Sequence, residues 1–219
     1  MVESTLDSDR FLREMVSAIV AGDLAAVNRL LASAPHLATA TFQCGATRAA
    51  AKESFIEAVK RYIVAGDTAL HFAAAAYQTE LARKLIESGA DIHARNRFGD
   101  QPLHAAAAGN PNSPGWNSAA QAAAIAFLIE AGADPNAASK RGVTPLHIAV
   151  RTRCAGAVQT LLELGADPAR TNKNGSTPML LAQHNTGRPG SGSPETKAQQ
   201  QEIMQLLAQR LKSASRPSL

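Results

Sequence analysis

The chain has 219 residues, a formal net charge of +4 and only 4% aromatic residues. The positive charge is mild and forms no block, and no apolar run or signal peptide is visible, so we expect neither a nucleic-acid partner nor a membrane. Two distant cysteines, Cys44 and Cys154, cannot build a disulfide framework, and this favours a reducing, cytoplasmic location.

The N-terminal part of the chain predicts one helical pair followed by a long insertion. Residues 11–34 form the first helical repeat. Residues 35–65 exceed the period of the later repeats. Within this insertion, the pattern of 50–62 predicts an additional amphipathic helix with the aromatic residues Phe55 and Tyr62 on one side.

A six-residue phrase then recurs along the chain. It first reads Gly66-Asp-Thr-Ala-Leu-His71, returns at Gly99–His104 and Gly142–His147, and is degenerate at Gly175–Leu180. The three histidines are 33 and then 43 residues apart. A period near 33 indicates stacked helical repeats, in which no repeat buries its apolar face alone.

The copy that begins at Gly142 shows the local structure of one repeat. Thr144 can cap a first helix predicted over about 145–151. A second helix follows with an apolar stripe at 158–162, and Gly165 can end it in a left-handed conformation. The residues after this glycine predict an extended finger that leads to the next repeat.

These motifs resemble the ankyrin repeat, with its Thr-Pro-Leu-His opening, Val-x-x-Leu-Leu second helix and Gly-Ala-Asp finger. The resemblance implies an all-α helix–turn–helix solenoid with extended, hairpin-like fingers, in one domain over 1–213. The predicted domain has five repeats, of which the first and last are atypical end caps. The repeats are about 11–34, 66–98, 99–141, 142–174 and 175–212, the insertions are 35–65, 111–120 and 187–198, and a disordered tail is expected at 214–219.

The evenly spaced histidines His71, His104 and His147 do not predict a metal site. Equivalent positions in stacked helical repeats lie roughly 8–10 Å apart. Zinc ligands each lie about 2.0–2.1 Å from the ion, so these rings cannot converge on one metal. The resemblance implies instead that each ring hydrogen-bonds the finger backbone, and we expect no metal and no cofactor.

The finger tips are the first candidate binding surface. A stack would place their basic residues on one ridge, which suits an acidic or mixed-charge protein surface, although tip charges could simply keep the fingers solvated. Ankyrin repeats, by resemblance, bind proteins through finger tips and first-helix faces. The leading interpretation is a monomeric, non-catalytic interaction module or scaffold. Its candidate partner-binding residues are Arg95, Arg97, Phe98, Lys140, Arg141, Arg170 and Lys173.

The turns opposite the fingers form the second candidate surface. Arginines there can hold a carboxylate or phosphate in a fork, and amides of the Gly/Ser-rich last insertion can hold an anion. This alternative is an anion or small-molecule sensor. The competing explanation is that the insertions are tolerated surface loops, with the tryptophan as a local anchor. The candidate residues are Trp116, Asn117, Arg151, Arg153, Arg188, Ser191 and Ser193.

A third interpretation is an enzyme built on Cys154. The neighbouring Arg151 and Arg153 could lower the pKa of its thiol, and His184 could act as its base. No oxyanion donor or orienting carboxylate is evident beside these residues. We therefore expect no catalytic activity.

Overall fold

The chain is described by a computed structural model that covers residues 2–46, 52–111, 116–184 and 194–214. These residues form ten α-helices and one two-stranded sheet, so the predicted all-α helix–turn–helix solenoid class is confirmed. Among the described helices, none is both long and apolar enough to cross a membrane. The chain divides into two compact units, Met1–Ala106 and Ala107–Leu219.

The N-terminal unit is built on paired antiparallel helices. Its helices are α1 (Val2–Ala21), α2 (Leu24–Ser33), α3 (Ala69–Ala75) and α4 (Thr79–Glu87), and α5 (Pro102–Ala107) begins near its end. Helix α1 packs against α2 and α3, and α3 packs against α4. These contacts bury one apolar face of each helix. The largest buried side chains include Leu12, Met15, Ile19, Phe42, Ile63, Leu70, Phe72 and Leu85.

The insertion between α2 and α3 corrects the sequence prediction, because 52–62 is not an α-helix. Short 3-10 turns occur at Pro35–Ala38, Lys52–Ser54 and Glu57–Val59, and an antiparallel pair is formed by β1 (Phe55–Ile56) and β2 (Arg61–Tyr62). The predicted helical residues 50 and 51 lie outside the described part of the chain.

Local contacts and one buried side chain explain why the hairpin forms. Lys60 closes its turn in the left-handed conformation, with φ 48°. The rings of Phe55 and Tyr62 pair across the strands, with centroids 4.8 Å apart. The amide of Ile63 donates to the carbonyl of Ser54 at 2.7 Å, and the Ile63 side chain is fully buried. An amphipathic pattern over one short segment fits both a helix and a hairpin. Here the segment is extended, and this conformation buries the Ile63 side chain.

The C-terminal unit repeats the same helical pair. Its helices are α6 (Ser118–Glu130), α7 (Pro145–Arg151), α8 (Ala155–Glu163), α9 (Pro178–His184) and α10 (Pro194–Ala214). The second helices α6, α8 and α10 pack in series, while α7 packs against α8 and α9. The bounds of α7 agree with the sequence prediction. The apolar stripes of these second helices are buried where the helices meet. Their buried residues include Ile125, Leu128, Val158, Leu161, Ile203 and Leu207.

Helix bounds also refine two insertions. Helix α5 ends at Ala107 and α6 begins at Ser118, so the predicted insertion 111–120 extends into the first residues of α6. Helix α10 begins at Pro194, so 194–198 are helical, while 187–193 lie outside the described residues. Ala214 is the last residue of α10, and the rest of the predicted tail, 215–219, also lies outside them.

Candidate functional site

Each finger begins with an aspartate that folds the chain back on itself. The carboxylate of Asp91 accepts a hydrogen bond from the amide of His93 at 2.8 Å. The same bond, at the same length, recurs in the two later fingers, from Asn136 to Asp134 and from Ala169 to Asp167. This is the local turn that aspartate favours.

A second polar side chain shapes each tip, three residues before its glycine. Asn96 Oδ1 accepts from the amides of Phe98 at 2.9 Å and Asp100 at 3.1 Å. Ser139 and Asn172 serve the next two tips in the same way. The sequence interpretation missed these residues, although their spacings of 43 and 33 follow those of the repeats.

The repeat histidines tie the first helices to the fingers, as the resemblance implied. In His71, Nδ1 accepts from the amide of Thr68 at 3.1 Å, so Nε2 carries the proton and donates to the carbonyl of Asp100 at 3.1 Å. His147 makes the equivalent bond to Ser176 at 3.0 Å. Burial lowers the pKa of His71 to about 4 and also lowers the pKa of His147, so both rings are neutral at pH 7.

A buried ionic cluster lies beneath the tip of the N-terminal unit. Asp67 is fully buried and accepts from Arg61 Nη2 at 2.8 Å, from the amide of Val64 at 2.8 Å and from Asn96 Nδ2 at 3.0 Å. The Arg61 guanidinium also lies 5.7 Å from the centre of the Phe72 ring. Asn96 therefore joins the tip to the insertion through Asp67 and Arg61, and no local pattern in the sequence indicates this arrangement.

The exposed part of this tip is an arginine stacked on an aromatic ring. The guanidinium carbon of Arg97 lies 4.8 Å from the centre of the Phe98 ring, and Phe98 is 49% exposed. Arg95, which is also exposed, donates from Nη1 to the carbonyl of Gly99 at 3.0 Å. The structure thus brings the three predicted residues of this tip together.

The tips of the C-terminal unit carry the other four predicted residues, and all four are exposed: Lys140, Arg141, Arg170 and Lys173. The amide of Lys173 donates to the carbonyl of Arg141 at 2.9 Å, which places two neighbouring tips side by side. Among the described residues, no carboxylate lies within ion-pair distance of any of the four. These cations are therefore open to an anionic partner.

The first-helix groove, which we predicted as part of the partner surface, has few exposed side chains. Residues 69–74 of α3 and 145–150 of α7 are all buried. Only Arg151, the last residue of α7, is exposed on that helix. The small and aliphatic residues of these two helices are used in packing, so α3 and α7 expose few side chains, and the groove stays a prediction.

In the predicted anion site, Trp116 and Asn117 both make local contacts. Trp116 is half-buried, and its Nε1 donates to Gln121 Oε1 at 3.1 Å. Asn117 caps α6 by accepting from the amide of Ala120 at 3.0 Å. Both bonds fix the start of α6, as the local-anchor explanation requires.

The remaining candidates of this site are only partly described. Arg151 is exposed, whereas Arg153 is half-buried and adopts a left-handed conformation with φ 60°. Arg188, Ser191 and Ser193 lie outside the described residues. The anion site therefore stays a prediction.

The sequence interpretation of Cys154 as a reactive thiol with a lowered pKa is wrong. The side chain is fully buried, and burial raises the pKa of its thiol despite hydrogen bonds from Thr152 and Gln121. A raised pKa reduces the thiolate fraction, so the neighbouring arginines do not activate this thiol. The proposed base, His184, is exposed at the end of α9. In the described part of the chain, no group of His, Cys, Asp and Glu side chains could hold a metal ion.

Comparison with known families agrees with this geometry. A family model described as ankyrin repeats (many copies) matches residues 128–182, and a second model of the same description matches residues 70–113. No curated protein matches the chain. Ankyrin repeats are generally non-enzymatic modules of protein–protein interaction. With the helix pairs, the capped fingers and the histidine bonds in place, the chain contains ankyrin repeats.

Proposed function

We propose that this protein is a non-catalytic interaction module that binds the acidic surface of a partner protein through its basic finger tips. The observation that carries the proposal is the set of four exposed cations in the C-terminal unit that have no carboxylate partner among the described residues. An exposed cation loses no internal ion pair on binding. Such charges also accelerate the encounter with an oppositely charged surface.

The structure of the tips supports rigid presentation of these charges. Ser139 and Asn172 close the turns, and the bond from Lys173 to Arg141 holds neighbouring tips together. A surface that is already ordered loses less conformational entropy when it binds. We further propose a monomer in the cytoplasm, where free thiols such as the exposed Cys44 persist.

Charge reversal with a matched control tests the proposal. The variant Lys140→Glu/Arg141→Glu/Lys173→Glu should lose partner capture from a native lysate. Its control reverses exposed cations elsewhere, at Arg10, Arg29 and Lys212. Each substitution lowers the charge by two, so both variants go from +4 to −2. Equal loss of capture in both variants would assign the effect to net charge and overturn the proposal.

The second candidate function, an anion or small-molecule sensor, is favoured by the exposure of Arg151 near the end of α7. Trp116 is the only tryptophan of the chain, so its fluorescence reports on the C-terminal unit alone. Titration with phosphate should change this fluorescence in the wild type and not in Arg151→Ala. An unchanged spectrum in the wild type would remove this candidate and leave the protein-binding proposal intact.

A further inference from the structure

The tip of the N-terminal unit differs from the others because it combines an arginine with an exposed aromatic ring. Arg97 covers one side of the Phe98 ring, and about half of the Phe98 surface remains exposed. Besides this stacking, Arg97 Nη2 makes a long hydrogen bond of 3.5 Å to the carbonyl of Ala46. The other four guanidinium N–H groups make no hydrogen bond to the described residues. The tip therefore offers an apolar surface and a charged donor next to each other.

The insertion holds this tip in place through its backbone. The amide of Arg97 donates to the carbonyl of Ala65 at 2.7 Å, and the amide of Ala46 donates to Ile63 at 2.9 Å. Gly45 lies so close to this segment that a Cβ atom would come within 2.6 Å of the Ala65 nitrogen. The chain can approach so closely only because residue 45 has no side chain.

The insertion itself is anchored in the core of the N-terminal unit. Phe42 packs edge-on against Phe72, with ring centroids 6.0 Å apart. Arg61 joins it to the buried Asp67, which also receives the amide group of Asn96 from the tip. The backbone of this tip is thus held by ordered structure. A surface that is already ordered loses less conformational entropy on binding than a free one.

We propose that the Arg97–Phe98 tip is a two-part anchor for a partner segment in which an apolar side chain lies next to a carboxylate. The apolar side chain packs on the exposed part of the Phe98 ring, and the carboxylate accepts two hydrogen bonds from the guanidinium of Arg97. Arginine pairs with a carboxylate in this forked geometry, and exposed aromatic and arginine residues are the types that dominate binding energy at interfaces.

The proposal rests on the proposed function and narrows its partner to an acidic segment with an apolar residue. Charge complementarity favours this partner, because Arg97 forms no ion pair with a carboxylate among the described residues. A purely acidic segment would leave the ring unused. A purely apolar segment would leave the guanidinium without a partner.

Fluorescence anisotropy with three short labelled peptides tests this proposal on the full chain. The first has a central Leu flanked by Asp and Glu, the second has Ser in place of Leu, and the third retains Leu but has Asn and Gln in place of the acids. We expect the first peptide to bind about tenfold more tightly than either control peptide. The Phe98→Ala variant should bind the Leu and Ser peptides equally, and Arg97→Gln should weaken both acidic peptides.

Phe11→Ala and Arg29→Ala are matched controls in the same unit. Phe11 is 48% exposed, almost the same as Phe98, and Arg29 is an exposed arginine on α2. Both controls should keep the full preference for the acidic peptide with Leu. Equal binding of the Leu and Ser peptides by the wild type overturns the proposal, as does a preference that survives Phe98→Ala or is lost in Phe11→Ala.

The outcome is separable from that of the proposed function. The capture experiment reverses charges at Lys140, Arg141 and Lys173, none of which belongs to the Arg97–Phe98 tip. If capture depends on those charges while the peptides show no preference, only the two-part anchor is rejected. If the peptides show the preference while capture ignores the charge reversal, only the role of the C-terminal tips is rejected.

Discussion

The amide of Gln101 donates to Nδ1 of His104 at 3.1 Å, yet Gln101 buries its own side-chain oxygen without a hydrogen-bond partner among the described residues. At the equivalent places, Thr68 and Thr144 use their hydroxyl groups to bond the histidine three residues later. Helix α5 therefore begins without the capping box that α3 and α7 have. A buried acceptor without a donor costs about 1–3 kcal/mol.

We predict that Gln101→Thr stabilises the protein by about 1 kcal/mol, because it supplies the hydroxyl cap and removes the unpaired oxygen. Urea unfolding followed by circular dichroism measures the change. The reverse substitution, Thr144→Gln, should destabilise the C-terminal unit by a similar amount. A Gln101→Thr variant no more stable than the wild type would show that the buried oxygen carries no penalty.

The Asp67 cluster should be the most sensitive polar site of the N-terminal unit. Asp67→Ala leaves the donors of Arg61, Val64 and Asn96 without their acceptor, and we expect a loss of about 3–5 kcal/mol in the free energy of unfolding. Arg61→Met should also be destabilising, because it leaves the fully buried Asp67 carboxylate with two amide donors and no counter-charge. Chemical denaturation of both single variants and the double variant gives the coupling energy. If the losses of the two single variants simply add up in the double variant, Arg61 and Asp67 do not stabilise each other and the ion pair is contradicted.

Stability should decrease as the pH falls from about 6.5 to about 4. The buried His71 has its pKa lowered to about 4, whereas the unfolded chain takes up this proton near 6.5. Within that window the unfolded state binds more protons, so the stabilisation present above it is lost progressively, up to about 3 kcal/mol. The groups facing the ring are Asp67, Arg61 and Asp100. Urea unfolding across this window should show a shallower pH dependence in His71→Asn, and an equal dependence would contradict the assignment.

Neighbouring fingers of the C-terminal unit are connected by Asn136. Its Nδ2 donates to the carbonyl of Gly165 at 3.0 Å, and its Oδ1 accepts from the amide of Asp167 at 2.8 Å. Asn136→Ala should therefore cost about 1–2 kcal/mol in thermal or urea unfolding. Asn174→Ala is the control, since that exposed side chain makes no hydrogen bond within the described structure. Equal effects of the two substitutions would refute this role.

The two thiols should differ strongly in reactivity. Cys44 is exposed, whereas Cys154 is fully buried and has a raised pKa because of that burial. Labelling of Cys154 at pH 8 in the Cys44→Ser variant should be more than about 100-fold slower than labelling of Cys44 in the Cys154→Ser variant, since it requires local opening. Mass spectrometry over time measures both rates. Fast modification of Cys154 in the folded protein would restore the reactive-thiol interpretation.

The sequence predicted what depends on local repetition. The bounds of α7 and the buried stripes follow from spacing and capping residues alone, whereas the bond from His147 to the finger was implied by the resemblance to ankyrin repeats. The insertion at 35–65 was harder because its structure depends on contacts distant in sequence. Arg61 meets Asp67 and Phe42 meets Phe72, and neither contact leaves a periodic pattern. For the candidate sites, the basic residues in the sequence indicated the finger tips. The composition did not indicate that the side chains of the first helices are buried.

The residues that shape each tip are not the residues that it displays. Asn96, Ser139 and Asn172 hold the turns from within, while the neighbouring positions 97, 140 and 173 point charges outwards. Combinatorial libraries at the displayed positions should therefore yield altered binding preferences with little loss of folding yield. The shaping positions would tolerate far fewer replacements, so a mutational scan of this protein should alternate between permissive and restrictive sites along every finger.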